Sequence, residues 1–271
     1  MKSSKVILVL IDGLAWHVAE HAMGYLHALR ENNQASVFKL QCELPSLSRP
    51  LYECILTGSK PVVSGIRNNQ TVQLSTRESI FHLARKANLK TAAAAYHWIS
   101  ELYNRAPYDA VRDRFTHNES LAIQHGIFYH EDSYPDSHLL LDAEHLRNTY
   151  DPDFLFIHTM NVDDMGHRSG GDSAAYRNAA RRVDTMLSHY LPAWQEQGYR
   201  VIITSDHGMN NDHSHGGLLP EEREVPLFLA GPGFNHQPNS FRLQQVLIRD
   251  LCALALGIPV NQNNELKSFL A

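Results

Sequence analysis

From Val6 to Ile11 the chain is apolar without interruption, and the run stops at Asp12-Gly13. A β-branched run with no polar member on either side of its two-residue period fits a strand buried on both faces, and the glycine marks a turn. The shape recurs in Phe154-Leu155-Phe156-Ile157, which leads towards Asp163, and in Val201-Ile202-Ile203-Thr204, which leads into Asp206-His207. Three buried strands are thus expected, each delivering an acidic residue just past its carboxyl end.

Helical spacing fills the intervals. Ser75-Thr76-Arg77-Glu78 has capping-box spacing ahead of Ile80, Leu83, Ala84 and Ala87. Asp172 is placed to cap a long helix whose Ala175, Ala179, Val183, Met186, Leu187 and Tyr190 form one apolar stripe. Leu243, Leu247, Leu251 and Leu254 repeat the pattern until Gly257 and Pro259 stop it. Alternating strands and helices predict an α/β fold, a mainly parallel central sheet sandwiched by helices, as one domain over residues 1–271. Ligands of such sheets bind beyond the carboxyl ends of the strands. The stretch from about 96 to 145 has little periodicity and reads as a small insertion or cap near that crevice.

Composition narrows the function. A net charge of -5 over 271 residues leaves no basic stripe for a nucleic-acid polymer. Cys42, Cys54 and Cys252 lie far apart, with neither CxxC spacing nor a disulfide framework, and are expected as free buried thiols in a reducing cytoplasm. The first apolar run is too short for a signal-peptide core, and no stretch approaches ~20 apolar residues, so no membrane partner is expected. Seventeen histidines are many, and most should be solvated; position must decide which matter.

Four segments carry chemistry. Thr204-Ser205-Asp206-His207-Gly208-Met209, followed by His213-Ser214-His215-Gly216-Gly217, offers oxygen and nitrogen ligands with glycines that let backbone crowd an ion. Asp163-Asp164-Met165-Gly166-His167 sets a carboxylate and an imidazole four residues apart. Asp12 is the third. In the fourth, Leu44-Pro45-Ser46-Leu47-Ser48-Arg49-Pro50-Leu51, Pro50 suits a first helical turn, so Ser48 or Arg49 is expected at the N-cap. A serine there is ordinarily just a cap, but beside a metal ion its hydroxyl becomes a competent nucleophile.

Together these segments resemble the type I phosphodiesterase and nucleotide pyrophosphatase branch of the alkaline phosphatase superfamily. The resemblance runs in order through Ile11-Asp12-Gly13, Pro45 to Gly58, Ser64-Gly65-Ile66-Arg67-Asn68-Asn69, Asp163 to His167, Asp206-His207-Gly208-Met209, His215-Gly216-Gly217 and Val225-Pro226-Leu227-Phe228. It implies an alkaline-phosphatase-like fold and two divalent ions, zinc first and manganese tolerated. One ion would take Asp12, Asp206 and His207. The other would take Asp163, His167 and His215, with His213 as the rival of His215. Ser48 would be the nucleophile of a metal-dependent phosphoric ester hydrolase acting on a small phosphodiester or nucleotide pyrophosphate.

One departure bears on the substrate. Many relatives carry, three residues after the nucleophile, an asparagine that touches a phosphoryl oxygen; here Leu51 stands there. Arg49 then either supplies charge to a second non-bridging oxygen, which suits a monoester or phosphonate, or faces solvent. Asn68, Asn69 and Asn161 are candidate oxygen contacts or else turn residues. Tyr96, His97, Trp98, Tyr129 and His130 are either leaving-group pocket or ordinary core and surface. The alternatives are a phosphomonoesterase or phosphonate hydrolase on the same scaffold, and a catalytically idle metal-binding protein. A sulfatase is not expected, because no CxPxR signature occurs.

Overall fold

A computed structural model describes residues 4–236, 243–260 and 265–271. Eight strands form one sheet: β1 (Lys5–Ile11), β2 (Ala35–Gln41), β3 (Thr91–Tyr96), β4 (Phe115–His117), β5 (His125–Tyr129), β6 (Phe154–Thr159), β7 (Tyr199–Thr204) and β8 (Glu224–Ala230). Their order is β2-β8-β7-β1-β6-β3-β5-β4. The five central strands β7, β1, β6, β3 and β5 are parallel. β8 and β2 on one side and β4 on the other add antiparallel pairs, so the sheet is mixed.

The uninterrupted apolar runs are explained by the two cores. Along β1, Ile7, Val9 and Ile11 enter one buried cluster while Val6, Leu8 and Leu10 enter the other, as the alternation of a strand requires. The first cluster packs the helices Trp16–Ala22, Gly24–Glu31, Asp136–Tyr150 and Ala174–Glu196 on one face. The second packs Ser48–Thr57, Ile80–Lys86 and Ile248–Ala255 on the other.

Register fixes where the acids arrive. Ile11 pairs with Thr159 and Leu10 with Thr204, so β1, β6 and β7 end level with one another. Asp12, Asp163 and Asp206 follow those ends at the same edge of the sheet.

Several local expectations move by a few residues. Ser79, not Ser75, caps the helix Ile80–Lys86, in a capping box with His82. The helix begins later than the spacing suggested, and the Ser75 hydroxyl goes to Glu53 instead. Ser173 rather than Asp172 caps the long helix, its Oγ accepting from Tyr176 N at 3.0 Å; Asp172 is drawn off by Asn211 Nδ2 at 2.7 Å. Leu47 is the N-cap of Ser48–Thr57, which makes Ser48 the first helical residue and leaves its hydroxyl free of capping duty. Leu243 lies outside the last long helix and Leu247 in a short 3-10 turn before it.

Residues 96–145 carry the helices Trp98–Tyr103 and Ala110–Asp113, the strands β4 and β5, and the start of Asp136–Tyr150. β5 is hydrogen-bonded to β3, so the segment extends the sheet. Its pieces are too short to show a period. The three cysteines are free and buried. Among the described residues no helix is long and apolar enough to cross a membrane.

Candidate metal centre

Asp12, Asp206 and His207 are fully buried at the ends of β1 and β7, and Asp163 is nearly so in the helix Asn161–Ser169 that follows β6. Their approach depends on Gly13. Its φ is +68°, and a Cβ there would lie 2.7 Å from Asp163 Oδ1 and 2.8 Å from the Asp163 backbone. Any side chain would therefore push β1 and the Asp163 turn apart.

Each carboxylate has one oxygen engaged and one bare. Asp12 Oδ2 accepts from Tyr52 and from His158 Nε2 at 2.9 Å; Asp206 Oδ1 accepts from Gly13 N at 3.1 Å; Asp163 Oδ2 faces His167 Nε2 at 3.4 Å. Asp12 Oδ1, Asp206 Oδ2 and Asp163 Oδ1 are buried with no hydrogen-bond partner among the described residues. Uncompensated buried carboxylate oxygens are costly unless a cation meets them.

The three imidazoles repeat the pattern. His207 Nδ1 donates to Gly208 O (2.9 Å), His215 Nδ1 to Ser46 O (2.8 Å) and His167 Nδ1 to His213 O (2.9 Å). A carbonyl can only accept, so each Nδ1 carries a proton and each Nε2 is turned towards the carboxylates. His207 Nε2 lies 3.2 Å from Asp206 Oδ2 and 3.5 Å from Asp12 Oδ1, and His215 Nε2 lies 3.8 Å from Asp163 Oδ1. Two three-donor sets result, Asp12–Asp206–His207 and Asp163–His167–His215, each with ligand atoms within 4.8 Å of one another. Two oxygens and one nitrogen in the first set, and one oxygen and two nitrogens in the second, fit a borderline divalent ion such as zinc, with room left for a phosphoryl oxygen.

The electrostatics reflect the crowding of buried acids and imidazoles. Burial and the neighbouring Asp12 push Asp206 well above the usual carboxylate range and raise Asp163 as well. Burial would raise Asp12 too, but His158, His207 and Tyr52 outweigh it and hold that group low. Burial pushes His207 down, and burial together with His207 takes His215 down to about 4, so both rings are neutral at neutral pH, as metal-binding imidazoles must be. His167 differs: the hydrogen bond to Asp163 lifts it to about 9, so its Nε2 carries a proton at neutral pH that a bound ion would displace.

Ser48 opens its helix beside these sets, 6% exposed, with Oγ 3.0 Å from His207 Nε2. Ser46 fastens this segment to the His215 loop: its Oγ donates to Gly217 O at 2.9 Å and accepts from Gly216 N at 3.1 Å.

The structure thus gathers Asp12, Ser48, Asp163, His167, Asp206, His207 and His215. His213 stands behind His167, its Nδ1 3.1 Å from His167 O, outside the donor set. Arg49 faces neither solvent nor the bare donor atoms. It is 1% exposed, its Nη2 pairs with Glu101 Oε2 at 2.8 Å, Nη1 donates to Thr71 O at 2.6 Å, and the guanidinium lies 4.4 Å from the Trp98 ring. Asn69 Oδ1 accepts from Arg49 N at 3.1 Å and so braces the first turn of the helix that Ser48 opens. Asn68 organises its own turn through Gln70 N and Thr71 Oγ1. Asn161 is tied to the 132–136 loop, accepting from Asp136 N at 3.0 Å and donating to Tyr134 O at 2.9 Å.

Of the aromatic candidates, Tyr129 donates to His158 O at 2.8 Å, Tyr96 packs between Tyr129 and Trp98, and burial takes His97 down to about 4. Sequence reasoning missed Tyr52 and His158. The available signals were a tyrosine one helical turn after Ser48 and a histidine closing an apolar strand.

The sequence profile described as type I phosphodiesterase / nucleotide pyrophosphatase matches residues 6–218. Curated relatives include GPI ethanolamine phosphate transferase 2, catalytic subunit, of Homo sapiens, 23% identical over 96% of this chain and 27% of its own length. GPI ethanolamine phosphate transferase 2 of Candida albicans is 22% identical over 96% of this chain and 31% of its own. The chain therefore spans roughly a quarter to a third of these relatives. Among solved structures, murine ectonucleotide pyrophosphatase / phosphodiesterase 5 superposes with TM-score 0.77 at 13% identity, covering 98% of this chain and 100% of that one. A 2-O GAG sulfatase superposes with TM-score 0.70 at 15% identity, covering 97% and 73%. These superpositions establish the fold alone.

Proposed function

Because the chain belongs to the type I phosphodiesterase / nucleotide pyrophosphatase family, a branch of the alkaline phosphatase superfamily of enzymes, we propose that it cleaves a phosphodiester with Ser48 as nucleophile beside two divalent ions. The observation that carries this reading is the pair of three-donor sets with bare carboxylate oxygens, one of which presents His207 Nε2 to the serine that opens the helix Ser48–Thr57.

Asp12, Asp206 and His207 would hold one ion, and Asp163, His167 and His215 the other. Bound there, divalent cations would neutralise phosphoryl oxygens and lower the pKa of a neighbouring hydroxyl. The chain's own contribution is placement. Leu47 as N-cap leaves the Ser48 hydroxyl free, and the positive end of the helix favours its alkoxide. Ser48 Oγ attacks phosphorus in line, the bond to the leaving oxygen breaks, and a phosphoseryl ester remains. A second in-line attack by water on this seryl diester releases a phosphomonoester, and a proton from the water restores the serine hydroxyl. Positioning and charge account for most of the acceleration.

Arg49 supports a diester over a monoester or phosphonate dianion, since its charge is already matched by Glu101 rather than free to meet a second non-bridging oxygen. A second reading concerns the acceptor. The relatives named as ethanolamine phosphate transferases align over 96% of this chain. An alcohol in place of water would make the same intermediate a transfer reaction.

Release of nitrophenol from bis(p-nitrophenyl) phosphate should exceed release from the monoester and stop with a chelator. Ser48→Ala should lower kcat by at least ~10³-fold with metal content unchanged. Near-wild-type turnover in that variant would exclude the seryl intermediate. Product partition between nitrophenyl phosphate and its glycerol diester, with glycerol added, separates hydrolysis from transfer.

A further inference from the structure

Asp12 differs from the other two carboxylates in how its engaged oxygen is held. Two buried side-chain donors, the Tyr52 hydroxyl and His158 Nε2, meet at Oδ2, and both residues are fully buried. Neither donor is free to drift. His158 lies in β6 in register with Leu10, and its carbonyl accepts from Tyr129. Its ring stands edge-on to Tyr52, centroids 4.6 Å apart at 68°, and near-parallel to Phe156 at 6.1 Å. His158 Nδ1 has no hydrogen-bond partner among the described residues, so Nε2, aimed at Asp12, is the ring atom that anchors it. By contrast, Asp206 is met by backbone N-H groups rather than side-chain donors, Gly13 N at Oδ1 among them, and Asp163 Oδ2 faces His167 of its own donor set.

We propose that Tyr52 and His158 are positioning residues that reserve Asp12 Oδ2, make Asp12 a one-oxygen ligand, and so bias the Asp12–Asp206–His207 set towards zinc over manganese or calcium. The reasoning is geometric. Zinc is satisfied by four ligands with one oxygen from each carboxylate, whereas calcium takes six to eight oxygens and commonly both from one carboxylate. Two donors locked on Oδ2 withhold the second oxygen and fix the direction of Oδ1. Outer-shell partners of this kind typically contribute ~10–100-fold to metal affinity.

This inference rests on the two-ion reading, and calorimetric titration of metal-stripped protein tests both. Wild type should take up two zinc ions in resolvable steps; no uptake would overturn the metal-centre reading and this inference with it. Tyr52→Phe removes only a hydroxyl and His158→Phe removes only ring nitrogens, while His158→Gln restores a donor. In the Phe variants zinc affinity should fall about 10–100-fold at one site and stay at the other. Manganese affinity should fall less, so that the zinc-to-manganese ratio shrinks, and His158→Gln should recover most of the loss. The proposal is overturned by unchanged zinc affinity in both Phe variants with an intact circular dichroism spectrum. Equal losses at both sites, or equal losses for both metals, would also overturn it.

Discussion

His207 and His215 stack almost face to face, ring centroids 3.6 Å apart and planes 14° apart, although each belongs to a different donor set. The two sets therefore share a wall. His215→Ala should lower zinc affinity at least ~10-fold at its own set and, by unpacking His207, measurably at the other. Two-site calorimetry checks this, and a loss confined to one site would show that the stacking couples nothing.

Stability should carry a signature of Asp136, away from the metal sets. Burial raises this carboxyl to about 7, while its Oδ1 accepts from Met160 N at 3.0 Å and Asn161 N at 3.3 Å. Its folded pKa lies above the unfolded value of 3.8, so the folded state holds a proton that the unfolded chain has released. The associated stability is full below about pH 4 and is lost as pH rises towards 7. Asp136→Asn keeps an acceptor and cannot ionise. Relative to wild type it should gain stability across that window, by of order 1–4 kcal/mol at its plateau. Urea midpoints at pH 5 and pH 8 measure the difference, and an equal offset at both would refute the assignment.

The Arg49–Glu101 pair is buried, 2% and 7% exposed at the side chains. Glu101→Gln retains the shape, including an acceptor for Tyr108 N, but leaves a buried guanidinium without its counter-charge. A loss of about 3–5 kcal/mol in denaturant unfolding is expected. A loss below about 1 kcal/mol would mean that Trp98 and the Thr71 carbonyl suffice to hold Arg49.

The seven central residues were legible because their signals are local. Apolar runs announce β1, β6 and β7, and each acid or histidine follows within a few positions of a strand end or a glycine. What the sequence hid depends on partners distant along the chain. Glu101 meets Arg49 across 52 positions and His158 meets Asp12 across 146, so neither spacing nor composition could pair them. Asn161 shows the same dependence: two residues before Asp163 in sequence, it is tied to Tyr134 and Asp136, 27 and 25 positions away. Cap assignments slipped by one to four residues because several hydroxyls and carboxylates competed for each helix start. Residues 96–145 were hard to read because β5 and the helices around it are each only a few residues long.

The double hydrogen bond from Ser46 to Gly216 and Gly217, reinforced by His215 Nδ1 on the Ser46 carbonyl, joins two loops separated by about 170 positions. Displacing the Ser46–Ser48 segment from the His215 loop therefore requires three hydrogen bonds to break together, which couples the position of the Ser48 hydroxyl to that of the His215 imidazole.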